Sequence, residues 1–186
     1  MKQLLLISGS VRNGNCKTIL EDIQQTFWLD ISTELLYLRD YDITHCDGCY
    51  SCRSTEDHVC VKGDKAHIVV DKMLDSEIVI FASPNYFYNI SGLAKNFIDK
   101  TLPYYPEQIL KGKKIIFVYT GMASADTTKA CLDNAMRGFA KCHGMEILGS
   151  FAYQTPDLGV FADERAKAST TQEICNLIRS TLSNID

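Results

Sequence analysis

Strands with no polar face constrain this chain more than any other feature. Ile78-Val79-Ile80-Phe81-Ala82 is apolar throughout, as are Leu4 to Ile7 and nearly all of Ile115 to Thr120. Such strands need cover on both faces, which a parallel sheet between helices supplies. Helical patterns lie between them. Asn15 to Trp28 spaces Ile19, Ile23 and Phe27 by four, and Ser91 to Lys100 carries Leu93, Phe97 and Ile98. Asp64 to Leu74, Thr127 to His143 and Asp163 to Leu182 read as further helices, and Ser32 to Leu38 and Glu146 to Tyr153 as strands. Strand and helix thus alternate five times, so the fold class is α/β, a parallel sheet with helices on both sides. At 186 residues, with no internal repeat, residues 1–186 are expected to form one domain with a cysteine-rich insertion at about 45–61.

Composition removes several functions. Lys and Arg number 19 against 23 Asp and Glu, and no basic stretch stands out, so a nucleic-acid partner is not expected. No run approaches the roughly 18 apolar residues of a membrane span. The apolar stretch near the N-terminus is too short for a signal peptide. The chain is therefore expected to be cytoplasmic. Its eight cysteines are then not disulfide staples.

In sheets of this kind, ligands bind beyond the carboxyl ends of the strands. That rule selects three loops: 8–18, 83–91 and 120–126. The first runs Ser8-Gly9-Ser10-Val11-Arg12-Asn13-Gly14-Asn15-Cys16-Lys17-Thr18 and leads into a helix. Hydroxyls, an Arg, two Gly and the positive end of a helix suit a phosphate; the competing reading is an ordinary turn with a Ser or Asn cap. Gly9 and Gly14 have P-loop spacing, but Asn15-Cys16 stand where that motif needs Lys and then Ser or Thr. The Gly-x-Gly-x-x-Gly fingerprint is absent. Cys131 and Arg137 have the Cys-x5-Arg spacing of a phosphatase but fall inside an expected helix. A phosphate held and not cleaved fits best. In the second loop, Tyr86, Phe87 and Tyr88 follow Pro84. Aromatic faces there suit a planar ring, unless they pack a surface loop or a subunit contact. Thr120-Gly121-Met122 closes the site from the third.

A phosphate beside a planar ring fits flavin mononucleotide (FMN). Gly9-Ser10-Val11-Arg12-Asn13-Gly14-Asn15 resembles the Gly-Ser-Pro-Arg-x-x-Gly-Asn-Thr loop of the NADPH-dependent FMN reductases, one residue shorter between Arg and Gly. Ser83-Pro84-Asn85-Tyr86, followed by Ser91 to Lys100, resembles that family's Ser-Pro-x-Tyr…Ser-x-x-Leu-Lys-x-x-Ile-Asp-Arg segment. The resemblance covers most of residues 4–155. Cys16 stands in place of the usual Thr, Ala94 in place of Leu and Lys100 in place of Arg. The resemblance implies a flavodoxin-like three-layer sandwich with strand order 2-1-3-4-5. It implies that Ser10, Arg12 and Asn15 hold the phosphate, with Cys16, Lys17 and Thr18 as weaker candidates. Pro84, Asn85, Tyr86 and Phe87 would frame the isoalloxazine edge, with Thr120 and Gly121 on its other side.

Four cysteines lie within 15 residues: Cys46, Cys49, Cys52 and Cys60. The first three have the spacing that holds an iron–sulfur cubane in ferredoxins, and the set resembles the compact motif of the iron–sulfur flavoprotein branch. A [4Fe-4S] cluster, a metal-free cysteine loop and a zinc site are the three readings. His45 and His58 are read as solvated, not as ligands.

The expected function is an FMN-dependent oxidoreductase. It would take a hydride from NAD(P)H and reduce a small-molecule acceptor such as a flavin or quinone. The cofactor carries the redox chemistry, so no side chain is assigned as acid or base. The alternative is an iron–sulfur flavoprotein working with a ferredoxin-like partner. A flavin- or metal-binding regulator ranks last, for want of a DNA-reading helix. A homodimer or homotetramer is expected, with the apolar segment Leu102-Pro103-Tyr104-Tyr105-Pro106 at an interface or as a surface turn.

Overall fold

A computed structural model describes residues 3–54, 59–157 and 164–184. Five strands, β1 (Gln3–Ser8), β2 (Ser32–Tyr37), β3 (Ile78–Pro84), β4 (Lys114–Gly121) and β5 (Glu146–Gln154), alternate with five helices. These are α1 (Asn15–Phe27), α2 (Ala66–Asp75), α3 (Gly92–Lys100), α4 (Ala125–Cys142) and α5 (Glu164–Ser183). All neighbouring strands pair in parallel, in the order β2-β1-β3-β4-β5. The expected α/β flavodoxin-like sheet is therefore the observed one. Element ends differ from the sequence reading by one or two residues, because caps decide ends that periodicity cannot. Residues 55–58 of the cysteine-rich segment, His58 among them, and Asp163 lie outside the described residues.

The apolar strands divide their side chains between two cores, as a period of two requires. Leu5, Ile7, Val79, Phe81, Ile115 and Phe117 face a core built with Val69, Val70, Phe97, Met136 and Phe139 from α2, α3 and α4. Leu4, Leu6, Ile78, Ile80, Ile116 and Val118 face the other, with Ile19, Ile23 and Phe27 of α1 and Ile174 and Ile178 of α5. A half-buried carboxylate, Asp133, fixes α4 to the sheet: Tyr119 and Ser150 donate to it at 2.9 and 3.0 Å.

Ser91 ties two strand-end loops together. Its Oγ accepts from Ala94 N–H at 3.0 Å, capping α3, and donates to the carbonyl of Gly9 in the loop after β1. Gly9 also donates to the Ala82 carbonyl at 2.8 Å. A Cβ on Gly9 would stand 3.0 Å from Ala94 Cβ and 3.1 Å from Ala82 O, so only glycine lets the loops approach this closely. Ser91→Ala removes the cap and leaves a buried carbonyl without its donor. It should lower stability by about 1–3 kcal/mol in urea unfolding; a loss under ~0.5 kcal/mol would show that the tie carries no stability.

Candidate functional site

The loops after β1, β3 and β4 meet, as the strand-end rule predicts, and a fourth after β5 joins them. Between them lies a cavity of about 250 Å³. Ser10, Arg12, Asn15, Cys16, Pro84, Asn85, Tyr86, Thr120 and Gly121 line it, nine of the twelve positions expected from the sequence. The other three lie elsewhere. Lys17 turns along α1 to pair with Glu21 at 3.4 Å. Thr18 donates its hydroxyl to the Gly14 carbonyl at 3.4 Å. Phe87 is wholly exposed. Phe87 and Tyr88 form a two-residue hairpin turn, with Tyr86 and Asn89 exchanging backbone hydrogen bonds at 2.8 and 3.1 Å. Their φ angles are 50° and 61°, a left-handed pair that bulky residues seldom adopt. That turn sends only the first aromatic into the cavity. Gly14 and Met122 also line it, from the expected loops; the sequence reading missed Thr155 to Asp157. The turn residues directly after β5 were the available signal for these.

The cavity floor is the start of α1. Gly14 caps that helix with no side-chain bond, and no acidic residue stands in its first turn. The first-turn N–H groups and the positive helix end are thus left for an anion. The Ser10 hydroxyl accepts from Arg12 N–H at 3.2 Å, and the Arg12 guanidinium lies 5.7 Å from the Tyr86 ring centre. Phosphate loop and aromatic loop are thereby in contact.

Two buried acceptors stand without partners: Oδ1 of Asn15 and Oδ1 of Asn85. Each residue is anchored through its amide nitrogen, Asn15 donating to the Asp157 carbonyl at 2.8 Å and Asn85 to Thr128 Oγ1 at 3.1 Å. A buried acceptor left unmade costs about 1–3 kcal/mol, so this cavity calls for a ligand rich in O–H and N–H donors. The flavin imide and ribityl hydroxyls are such donors, and the residues present fit FMN. Gly121 also belongs to the design: a Cβ there would sit 2.7 Å from Asn85 Cβ.

Cys16 lines the cavity, but its thiol is engaged with a neighbour and is not free as a substitute hydroxyl. It is fully buried, and its Sγ lies 3.2 Å from Thr120 Oγ1. Burial pushes its thiol up to about 11, against the partial relief of that hydrogen bond. Because the folded value lies above the unfolded one, this group favours folding below pH 9, and that contribution is lost as pH rises toward 11.

Cys46, Cys49, Cys52 and Cys60 all line a second, small cavity of about 20 Å³. Burial, then the neighbouring sulfurs, raise the Cys52 thiol. Lys100, almost fully buried, donates to Cys60 Sγ at 3.1 Å and pairs with Asp64 at 2.5 Å. Burial opposes its charge, but Asp64 and Cys60 outweigh that and raise its pKa. The donor set suits a thiolate-ligated metal. Yet among the described residues no three His, Cys, Asp or Glu side chains stand as a ligand group. The space holds about one water molecule, not four irons. In this arrangement the thiols do not fit a cluster. Of the apolar segment at 102–106, Pro103 and Tyr104 are buried in the chain's own fold, and Tyr105 remains half exposed.

Thiol reactivity checks this picture. Ellman's reagent at pH 8 should modify exposed Cys49 and Cys142 in the native protein, and buried Cys16 and Cys175 only after unfolding. Native-state labelling of Cys16 would contradict the buried Cys16–Thr120 pair.

Among the described residues no helix is long and apolar enough to cross a membrane. The chain is 33% identical over 100 residues, 53% of its length and 48% of the relative's, to an iron-sulfur flavoprotein of Archaeoglobus fulgidus. A second iron-sulfur flavoprotein of that organism is 26% identical over 142 residues, 75% of this chain and 64% of the relative. The chain thus spans about half to two-thirds of these relatives. A solved flavone reductase superposes with a TM-score of 0.72 at 19% identity, covering 96% of this chain and 62% of that one, which speaks to the fold alone. The profile of one family matches residues 2–155, from β1 to the loop after β5. The chain belongs to the NADPH-dependent FMN reductase family.

Proposed function

We propose that the protein is an FMN-dependent oxidoreductase that takes its electrons from NAD(P)H. The observation that carries this reading is the strand-end cavity, where an uncapped helix end and two buried, unpartnered acceptors face one ligand. The start of α1, with Ser10 and Arg12, holds the phosphate. Asn15 and Asn85 accept hydrogen bonds and so fix the ligand's orientation. Tyr86 and Gly121 bound the ring from two loops. FMN, when bound, accepts a hydride and passes its electrons to a flavin, quinone or similar small acceptor. Backbone N–H groups of the surrounding loops are fixed donors for the negative charge of the reduced ring. A homo-oligomer, dimer or tetramer, is part of this reading.

A second reading, an iron–sulfur flavoprotein serving a ferredoxin-like partner, is favoured by one observation: all four clustered cysteines line one cavity. The size of that cavity counts against it.

Anaerobic mixing separates the two. NADH or NADPH should bleach the absorbance of the bound flavin. A flavin bleached by reduced ferredoxin and untouched by either nicotinamide, in protein carrying iron and acid-labile sulfide, would overturn the first reading. Gly121→Ala should weaken FMN binding about tenfold, because the added methyl displaces Asn85. Unchanged affinity would remove the third loop from the site.

A further inference from the structure

Away from the flavin cavity lies a larger one of about 490 Å³, within the size range of small-molecule sites. The end of α3, the turn after it and the end of α4 form its walls. Ile98, Leu102, Tyr105 and Phe139 make these mainly apolar, and Tyr50 of the cysteine loop closes one side. Two polar groups of this lining are deeply buried, Thr101 at 1% and His143 at 3% exposed, while the partly exposed Asp99 is paired with Lys95.

The hydrogen bonds fix the state of that imidazole. Thr101 Oγ1 lies 2.7 Å from the Ile98 carbonyl and 2.9 Å from His143 Nε2. A carbonyl only accepts, so the single hydroxyl proton of Thr101 goes to Ile98. Thr101 Oγ1 must then accept from His143, which places the ring proton on Nε2. Nδ1 is left as a bare lone pair, buried and without a partner. Burial also lowers the His143 pKa, which keeps the ring neutral near pH 7. Tyr105 and Phe139 meet the imidazole edge-on, at 6.5 and 5.2 Å between ring centres, so neither serves Nδ1. An acceptor in apolar walls selects a ligand with one donor on an otherwise apolar body.

We infer that this cavity is a second binding site, specific for a small aromatic molecule bearing one hydroxyl donor, a phenol, whose O–H is received by Nδ1 of His143. The site shares no lining residue with the flavin cavity, and it stands whether or not the flavin reading does. Its walls include Cys46, Gly48 and Tyr50, so an occupant rests directly against the cysteine loop.

The probes are p-cresol and p-xylene, which share a shape and differ in the hydroxyl. They are titrated into purified protein saturated with FMN, which blocks the first cavity, and followed by amide and imidazole nitrogen NMR. Both should bind, p-cresol about five- to tenfold tighter, the usual worth of one hydrogen bond to a buried acceptor. Perturbed amides should cluster at 98–105 and 139–143, and the Nδ1 signal should move with p-cresol alone. In His143→Phe, p-cresol affinity should fall to that of p-xylene while p-xylene binding persists. In Leu102→Trp, which fills the space, both should be lost. Equal affinities in the native protein, showing Nδ1 already served by water, would overturn the proposal. So would displacement of FMN by p-cresol, or no binding by either probe, as when a second copy of the chain fills the cavity.

Discussion

Strands β1, β3 and β4 leave no side open to water. Leu4 and Leu6 face one layer while Leu5 and Ile7 face the other, and the same division runs through 78–82 and 115–119. Each strand must therefore be followed by a helix that returns across the sheet, and the next strand must start at the same end as the last. The carboxyl ends of all the strands then open on one edge, and so do the loops that leave them. The ligand cavity follows from covering both faces of one sheet. It needs no separate architecture.

What makes that edge a site, and not a set of adjoining loops, is a few short polar contacts. Ser91 spans from the α3 cap to Gly9, Asn85 N–H donates to the Thr120 carbonyl at 2.7 Å, and Thr155 N–H donates to the Gly121 carbonyl at 2.7 Å. These bonds draw the four loops together and use up most backbone groups nearby. The first turn of α1 and the two asparagine oxygens are left over. Their chemistry is complementary: the helix end wants an anion, and the oxygens want donors. A phosphorylated polyol carrying an imide ring satisfies both, which is why this family's cofactor fits a cavity whose neighbours are otherwise mutually satisfied.

Much of this was legible in the sequence, because it depends on local pattern. Continuous apolar runs gave buried strands, four-residue spacing gave helices, and the strand-end rule gave the loops. Positions that failed did so where the outcome depends on distant partners or on turn geometry. Phe87 sits in a left-handed turn position that no aromatic residue announces, so it points away from the cavity. Lys17 had a competitor one helical turn along, in Glu21. Cys16 does line the cavity, but its thiol meets Thr120, 104 residues away, a partner that no local pattern shows. The buried Lys100–Asp64 pair beside Cys60 joins the end of α3 to the cysteine loop, two segments that nothing in a linear motif connects. His143, bland in the sequence as the end of an amphipathic helix, acquires its character only from Thr101 and the Ile98 carbonyl.

In the proposed function, the strand-end cavity holds FMN by its phosphate at the start of α1. Riboflavin carries the same ring and ribityl chain without the phosphate, so a pair of fluorescence titrations tests the claim directly. FMN should bind at least about tenfold tighter than riboflavin, with the difference shrinking at high salt, as expected for an anion at a helix end beside Arg12. Equal affinities, or a preference for riboflavin, would contradict it.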